Sequence, residues 1–452
     1  MPIKIDGQAV SGTLPPAYIG LSQGAGMSDY NDDTAARFKE IGVKWFRMDN
    51  IFTNAVKRDD SGKLVYDWTD FDKRLSFMEK IGCEFIACAS YMPQALEAFN
   101  DTDRHARPKS YKEWEELCYL GAMRAIETGH RIKYWEVWNE SNAAWFKGMP
   151  GEDNLTEYLK LYDATWRGVR RADAKALIGG PCNASGPWDN SPDRGYAING
   201  ERYMRGLLQH CEKTGAPLDF VSWHEYFQEP KTIREEADVT RKYMKEYPKA
   251  SKGVREFMVT EWNYAWWPDW PQDNEQGAAW IANSVLRVML PAKIDKPCFF
   301  YAKDGDDNFR GGWGMLMGPN RPKPVYNAAK LFNMMAPTRL KLKLDDGELA
   351  GLASIDQKTG RTTVMLLNYA ERYGVERPVK LELANLDQRL VGGKMKTWIV
   401  DKEHSNAFNN KDKSELERWS DDKIIDSNQS TLALKLPTNS LTLFEMVPKG
   451  YH

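Results

Sequence analysis

The sequence predicts an α/β protein, a (β/α)8 TIM barrel followed by a C-terminal antiparallel β-sandwich. Between about residues 15 and 337, eight short apolar segments alternate with amphipathic helical segments, which is the order of a barrel. After Pro337 the apolar residues recur at every second position, as in half-buried antiparallel strands. The 452 residues provide enough chain for one large domain and one smaller domain.

The barrel strands are predicted from short apolar or aromatic runs bounded by polar turns. These runs are 17–21, 44–49, 84–90, 134–140, 177–181, 219–226, 256–263 and 296–304. Because the first run is weak, a doubly wound parallel sheet is the alternative. Among the helices, segment 70–82 ends in Gly82 as a C-cap, and Ser110 with Glu113 has the spacing of an N-terminal capping box.

The C-terminal part is predicted to be a sandwich over residues 338–452. In "VKLELANL", Val379, Leu381 and Leu383 fall on one face, and charged side chains fall on the other. The string "TLALKL" repeats the pattern. The N-terminal residues 1–14 could add a strand to this sheet.

Composition limits the classes of partner. With 62 basic and 64 acidic residues, the net charge of −2 gives no electrostatic reason to bind nucleic acid or an anionic membrane. No apolar run approaches the roughly 18 residues of a membrane helix. The start, "MPIKIDGQAV", lacks the apolar stretch of a signal peptide. We therefore expect a cytoplasmic protein, or a periplasmic or secreted one if a leader has been removed. The oligomeric state stays open.

Cysteine, histidine and aromatic residues give three further indications. The six cysteines form no CxxC pair, which favours buried thiols over disulfides. The six histidines show no HxH or HExxH spacing, so we expect no metal and no other cofactor. The 17 Trp, 20 Tyr and 17 Phe exceed what a core needs and are typical of a cleft that holds flat apolar ligand faces.

Two predicted strands end in a glutamate beside an asparagine and a tryptophan. Glu140 ends the fourth strand in "YWEVWNES", and Glu261 ends the seventh in "FMVTEWNY". These strands lie across a barrel from each other, and their C-terminal ends form its active face. Two carboxyl groups facing across a pocket, one protonated and one ionised, are the minimal equipment for glycoside hydrolysis. Taken singly, either glutamate could instead be a helix cap or a salt-bridge partner.

Longer strings resemble glycoside hydrolase family 39, the retaining β-xylosidases and α-L-iduronidases. The resemblance covers nearly the whole chain and includes "KWFRMDNIF", "YWEVWNES", "DFVSWHEYF", "MVTEWN", "GPNRPKPVYNAAKLF" and "SLTLFEM". It implies a (β/α)8 barrel that cleaves β-linked sugars with retention of configuration by double displacement. The expected partner is an oligosaccharide or polysaccharide.

The resemblance also implies roles for individual residues. Glu140 matches the general acid/base and Glu261 the nucleophile. Tyr226 and Arg47 match residues that hold the nucleophile ionised, and Trp145 would give Glu140 the apolar surroundings that favour a protonated acid. The predicted substrate-binding residues are Arg47, Asp49, Asn139, Trp145, His224, Tyr226, Trp266, Trp267 and Arg310.

Some of these positions carry alternatives. Asn139 matches the residue that binds the sugar 2-hydroxyl, and His224 could instead be packed in the core. Asp49 stands where the β-xylosidases commonly have His, which changes how the glycone is held. Glu225 replaces a small residue and is expected to point away from His224. Arg310 could bind an acidic sugar group, or could simply pair with a neighbouring aspartate.

The Trp loop, "NYAWWPDWPQD", could bind sugar faces or seal the top of the barrel. The leading hypothesis is an exo-acting, β-xylosidase-like enzyme of carbohydrate metabolism. The alternatives are a family relative that degrades polysaccharide internally or removes an acidic or other sugar, and a non-catalytic glycan-binding barrel. A metal-dependent hydrolase is disfavoured by the absence of histidine pairs.

Overall fold

The structure is a computed structural model that describes residues 2–14, 19–23, 30–184, 186, 199–226, 231–344, 347–371 and 374–451. The strands are β1 (Pro2–Thr13), β2 (Gly20–Gln23), β3 (Trp45–Met48), β4 (Val56–Arg58), β5 (Leu64–Tyr66), β6 (Glu84–Ala89), β7 (Tyr134–Val137), β8 (Leu177–Asn183), β9 (Phe220–Glu225), β10 (Glu256–Trp262), β11 (Lys296–Phe300), β12 (Leu316–Met317), β13 (Arg321–Pro322), β14 (Thr338–Lys343), β15 (Leu349–Ile355), β16 (Thr362–Asn368), β17 (Arg377–Ala384), β18 (Lys394–Val400), β19 (Glu417–Ile424), β20 (Ser430–Leu436) and β21 (Ser440–Val447).

The helices are α1 (Asp32–Glu40), α2 (Thr69–Ile81), α3 (Tyr111–Glu127), α4 (Asn154–Ala172), α5 (Gly200–Thr214), α6 (Lys231–Glu246), α7 (Pro248–Ser251), α8 (Glu275–Asn283), α9 (Leu290–Ala292) and α10 (Pro324–Asn333). A π-helical turn, Ser284–Met289, joins α8 to α9. Among the described residues, no helix has the length and apolarity of a membrane span.

The predicted barrel is confirmed. Strands β2, β3, β6, β7, β8, β9, β10 and β11 pair in this order, each parallel to the next, and β11 pairs with β2 to close the ring. A doubly wound sheet would have two open edges, so that alternative is wrong. The carboxyl ends of all eight strands therefore open onto one mouth of the barrel.

Several strand ends differ from the prediction. The fourth barrel strand stops at Val137, because Trp138 and Glu140 adopt left-handed backbone conformations with φ of 66° and 50°. The eighth stops at Phe300 rather than at residue 304. The first begins at Gly20, and the rest of its predicted run, residues 17 and 18, lies outside the described residues. Strand ends are set by local φ and ψ, which apolar periodicity does not report.

The predicted helix caps are present. Gly82 follows α2 with a φ of 77°, and its N–H returns to the carbonyls of Met78 and Glu79. The hydroxyl of Ser110 accepts from the N–H of Glu113 at the start of α3.

The C-terminal part forms a nine-stranded sheet in the order β19-β18-β21-β16-β15-β14-β1-β17-β20. All pairs are antiparallel except β1 with β17, and β1 lies between β14 and β17. Residues from both ends of this order, including Leu381, Met395, Leu436 and Phe444, share one apolar cluster. The sheet therefore folds over on itself as a sandwich, as predicted.

Candidate active site

The carboxyl groups of Glu140 and Glu261 meet at the mouth of the barrel. One carboxylate oxygen from each lies within 4.8 Å of the other, and a ring nitrogen of His224 lies within the same distance of both. Both glutamates are buried, with 8% and 5% of their surface exposed. The two side chains predicted to face each other are therefore close enough to act on one bond.

Glu261 receives a hydrogen bond on each carboxylate oxygen. Arg47 Nη1 donates to Oε1 at 2.7 Å, and the Tyr226 hydroxyl donates to Oε2 at 2.5 Å. Burial and the charge of Glu261 raise the pKa of Tyr226 well above its usual value, so its phenol remains a neutral donor. Both carboxylate oxygens of Glu261 are therefore held by donors from outside β10.

Arg47 lies fully buried at the centre of the site and connects several strands. Its Nε donates to Glu136 Oε2 at 2.6 Å, and its Nη2 donates to Asn139 Oδ1 at 2.6 Å. Although burial opposes the guanidinium charge, the carboxylates of Glu136 and Glu261 help to keep the pKa of Arg47 well above its usual range. The charged arginine thereby fixes both an acidic and an amide side chain.

Sequence reasoning missed Glu136 and Tyr91. Glu136 points into the barrel from the middle of β7, where Thr260 Oγ1 also donates to it at 2.8 Å. Although burial works against its charge, Arg47 lowers the pKa of Glu136 below the usual value. Tyr91, which has a left-handed backbone, accepts a hydrogen bond from Asn139 Nδ2 at 3.0 Å. A charged residue within an apolar strand was the available signal for Glu136, and Tyr91 gave none.

Glu140 contacts the side chain of His224, which lies in β9. His224 Nδ1 lies 2.8 Å from Glu140 Oε1 and 3.5 Å from Glu261 Oε2. Burial disfavours the imidazolium form, but Cys182, Glu261 and Glu140 raise the pKa of His224 well above its usual value. His224 thus belongs to the site, and the alternative of simple core packing does not describe it.

Asp49 lies beside the same cluster at the end of β3. It is buried, its Oδ1 accepts from Asn50 Nδ2 at 2.7 Å, and its carbonyl accepts from Arg74 at 3.0 Å. Burial raises the pKa of Asp49 to about 6; Glu261 adds to the rise and Arg47 opposes it. The carboxyl group at this position is therefore an acid that titrates at moderate pH.

The structure does not bring Arg310 into the buried cluster. Its side chain is 69% exposed and lies 3.5 Å from Asp306 Oδ2, so pairing with a neighbouring aspartate describes its position. Glu225 is buried on the far side of β9, where Thr232 donates to it and Glu236 lies beside it. It points away from His224, as expected.

The predicted tryptophans lie further out. Trp145 is half-buried and its ring meets that of His105 edge-on at 5.0 Å. Trp266 and Trp267 are 53% and 41% exposed, and their rings are perpendicular at 5.4 Å. These two rings do not seal the barrel top, because they face solvent.

A line of aromatic rings leads from Tyr226 toward the Trp loop. The ring of Tyr226 lies 6.0 Å from Phe300, which lies 5.1 Å from Tyr301, and Tyr301 lies 6.3 Å from Trp313. The Trp313 indole N–H donates to the carbonyl of Ala265 at 2.9 Å, next to the exposed tryptophans. Aromatic faces therefore continue from the carboxylates to the outer loop.

A buried ion cluster supports the loops that follow β10 and β11. Lys323 Nζ, with no exposed surface, lies 2.7 Å from Asp273 and 2.5 Å from Asp304. The two aspartates accept backbone N–H groups of Gly311 and Gly314. Sequence reasoning missed this cluster because Lys323 precedes α10 and meets the loops only through the fold.

Among the described residues, two groups of side chains have the spacing of metal ligands: Asp101 with Asp103 and His105, and Glu140 with His224 and Glu261. In the first group Lys147 Nζ lies 3.2 Å from Asp101. In the second, Arg47 and Tyr226 bind both oxygens of Glu261. A cation would have to compete with these donors, so neither donor set fits a resident metal.

A (β/α)8 barrel with two facing glutamates at its mouth defines the class of the retaining glycoside hydrolases. The sequence profile of glycosyl hydrolases family 39 matches residues 18–406. The chain therefore belongs to this family of enzymes that hydrolyse glycosides.

Proteins that are similar in sequence to this chain include two β-xylosidases and an α-L-iduronidase. A β-xylosidase of Caldicellulosiruptor saccharolyticus is 26% identical in an alignment 340 residues long that covers 68% of this chain and 65% of that enzyme, slightly under two thirds of its length. A β-xylosidase of Geobacillus stearothermophilus is 24% identical over 84% of this chain and 78% of its own length. The α-L-iduronidase of Canis lupus familiaris is 26% identical over 41% of this chain and 28% of its own length.

Solved structures share the fold over nearly the whole chain. A monomeric β-xylosidase from Caulobacter crescentus CB15 superposes with a TM-score of 0.80 at 19% identity, covering 99% of each chain. The GH39 enzyme of Xanthomonas axonopodis pv. citri has a TM-score of 0.81 at 17% identity, covering 99% of this chain and 97% of that one.

Proposed function

We propose that the protein is a retaining, exo-acting β-glycosidase with β-xylosidase-like specificity, in which Glu261 is the nucleophile and Glu140 the general acid/base. The observation that carries the proposal is the approach of the two carboxylates to within 4.8 Å. Retaining enzymes hold their carboxyl groups about 5–5.5 Å apart, whereas inverting enzymes leave roughly 6.5–9.5 Å for a water molecule. The spacing supports double displacement.

In the first step Glu261 would attack the anomeric carbon. Arg47 and Tyr226 each donate a hydrogen bond to its carboxylate and hold it in place. Glu140 would transfer its proton to the leaving oxygen as the glycosidic bond breaks. The products are a glycosyl ester on Glu261 and the released alcohol or sugar.

In the second step Glu140, now ionised, would take a proton from a water molecule. The hydroxide so generated attacks the anomeric carbon from the face that the leaving group occupied, and the bond to Glu261 breaks. Two inversions give overall retention. Asn139, held by Arg47 and Tyr91, has a second Nδ2 hydrogen that can be donated to a sugar hydroxyl.

Three observations support a neutral pentose as the reacting sugar. Two relatives that match 68% and 84% of this chain are named β-xylosidases. The cation considered for an acidic sugar, Arg310, is exposed and paired with Asp306. The buried Asp49 adds an acceptor for sugar hydroxyls and disfavours a carboxylated sugar. The outer rings Trp266 and Trp267 would hold the rest of an oligosaccharide or polysaccharide substrate by stacking.

A panel of aryl β-glycosides tests the specificity. We expect turnover of the β-xyloside to exceed that of the glucoside, galactoside, arabinoside and uronide. Preference for the uronide would replace the xylosidase assignment by one for an acidic sugar. Products released from xylo-oligosaccharides should be single xylose units, and internal cleavage would contradict exo action.

Azide rescue tests the two roles separately. Glu261→Ala with azide should give the α-glycosyl azide, and Glu140→Ala with azide should give the β-glycosyl azide. The acid/base variant should regain turnover only with an activated leaving group. If either variant keeps normal turnover without azide, its assigned role is wrong.

A further inference from the structure

A buried thiol contacts the histidine that serves the acid/base carboxyl. Cys182 lies in β8 with a left-handed backbone, φ 56°, and has no exposed surface. Its Sγ lies 3.1 Å from His224 Nε2, on the opposite side of the ring from Glu140. Cys182, His224 and Glu140 thus form a continuous chain of contacts that ends at the proposed proton donor.

The other neighbours of this sulfur indicate the direction of its hydrogen bonds. Arg47 Nη2 donates to Cys182 Sγ at 3.3 Å, so one sulfur lone pair is engaged. Two oxygen acceptors for a thiol hydrogen, Thr260 Oγ1 at 3.8 Å and Asn139 Oδ1 at 3.9 Å, are distant compared with His224 Nε2, and the thiol of Cys88 also lies beside Cys182. Burial raises the pKa of Cys182 well above its usual value and keeps it a thiol.

A thiol suits this position because it can either donate a hydrogen bond to His224 Nε2 or accept one from it. It donates S–H to Nε2 when the imidazole is neutral, and its sulfur accepts N–H when the ring is protonated. In both states the other nitrogen, Nδ1, carries a hydrogen. That hydrogen points at Glu140 Oε1, 2.8 Å away.

We propose that Cys182 is a positioning residue for the acid/base carboxyl, acting through His224. By hydrogen-bonding to Nε2, Cys182 keeps a hydrogen on Nδ1. Nδ1 donates that hydrogen to Glu140 Oε1, so Oε1 is an acceptor in every step. The proton that passes to the leaving oxygen, and later comes from water, is then confined to Glu140 Oε2. This inference rests on the proposed role of Glu140 and goes beyond it by adding a residue from a third strand.

Leaving-group dependence tests the proposal. For Cys182→Ala we expect kcat/KM to fall roughly tenfold on a phenyl β-xyloside, which needs proton donation, because one buried hydrogen bond is lost. On a dinitrophenyl β-xyloside, whose leaving group needs no proton, we expect a change of less than about twofold. Cys182→Ser, whose hydroxyl also donates and accepts, should recover the phenyl xyloside rate to within roughly threefold.

Two matched variants separate positioning from folding. Cys88→Ala removes the other thiol on Arg47, which contacts Arg47 Nη2 at 3.3 Å and the carbonyl of Trp138 at 3.1 Å. It should not produce the leaving-group dependence. Cys118→Ala removes a buried thiol from α3 and should keep wild-type rates on both substrates. Equal losses on both xylosides for Cys182→Ala would mean a structural role only and would overturn the proposal.

A spectroscopic measurement tests the same point without substrate. In protein labelled with 15N-histidine, the His224 signals, assigned by comparison with His224→Gln, should report a proton on Nδ1 in the wild type and in Cys182→Ser. At a pH high enough for the imidazole to be neutral, they should report a mixture of the two tautomers in Cys182→Ala. An unchanged Nδ1 signal in the alanine variant would overturn the proposal. Failure of the proposed function would instead be seen in the wild type or in the glutamate variants.

Discussion

A glutamate lies at the C-terminal end of both β10 and β7, but the two side chains have different hydrogen-bond partners. Glu261 accepts from a guanidinium and a phenol, one on each oxygen. Glu140 contacts the imidazole of His224 through Oε1, and its backbone is left-handed. A guanidinium and a phenol only donate to a carboxylate, whereas an imidazole can change its own charge. The two acids are both buried, so their different hydrogen-bond partners, and not burial, distinguish them.

Loss of Arg47, which donates to Glu261, should cause the largest loss of activity. Arg47→Met should lower kcat/KM by roughly a thousandfold or more, because the nucleophile loses its charged donor. It should also lower the free energy of unfolding by about 3–5 kcal/mol, because Glu136 is left buried and unpaired. Turnover and thermal unfolding measure the two effects.

The double variant Arg47→Met/Glu136→Gln separates these losses. It removes the unpaired charge and should recover part of the stability, while activity should stay low. Recovery of activity in the double variant would mean that Arg47 acts by relieving Glu136 and not by holding Glu261.

Removal of the Tyr226 hydroxyl, the second donor to Glu261, should lower activity by a smaller factor. Tyr226→Phe should lower kcat by roughly 10- to 100-fold, as expected for a hydrogen bond of about 1.5–3 kcal/mol to a charged group. The matched variant Tyr162→Phe removes a hydroxyl that donates to the carbonyl of Pro217 at 2.7 Å, outside the site. It should keep its rate. Similar rate losses in the two variants would contradict a specific role for Tyr226.

The sequence was sufficient to predict the barrel and the residues at the ends of its strands. Glu261 and Tyr226 could be placed because parallel strands bring their carboxyl ends to one face. Their detailed partners needed the closed ring, which decides that Arg47 of β3 reaches across to β10. Strand position therefore predicted which side chains meet, and the fold decided which atoms bind.

Three features escaped prediction for physical reasons. The left-handed backbone at Trp138 and Glu140 breaks the alternation that apolar periodicity assumes, so the predicted strand was too long. The role of Cys182 depends on a contact between adjacent strands that a scattered cysteine does not signal. Lys323 joins the loops only after the helices have packed. Each feature depends on backbone geometry or long-range contacts, which local pattern does not contain.

The substitution Asp49→Asn should change the dependence of kcat/KM on pH. The carboxyl of Asp49 has a pKa of about 6 in the folded protein, so it is ionised above that pH and protonated below it. If its carboxylate accepts sugar hydroxyls, the wild-type kcat/KM should rise a fewfold through pH 6. The variant should lack this inflection. An inflection that persists in Asp49→Asn belongs to another group.

The same substitution should change stability with a defined sign. Because the folded pKa of Asp49 lies above the ordinary value of 3.8, the stabilisation linked to its proton is fully present below that value and is lost as the pH rises through about 6. At pH 8 the asparagine variant should therefore be more stable than the wild type, by up to about 3 kcal/mol. At pH 4 the two should unfold at similar temperatures, and a constant difference would contradict the linkage.

The smallest effect is expected for Trp267, which lies in the exposed Trp loop and not at the end of β7 or β10. Trp267→Ala should change kcat/KM for an aryl β-xyloside by less than about twofold, because the ring is 41% exposed and is proposed to hold only the outer part of the glycan. For a longer xylo-oligosaccharide it should raise KM roughly fivefold, as expected for one lost stacking contact of about 1 kcal/mol. Trp398→Phe, in β18 of the sandwich, is the matched control and should alter neither substrate. If Trp267→Ala affects the two substrates equally, the loop supports the glutamates themselves and does not bind the outer part of the glycan.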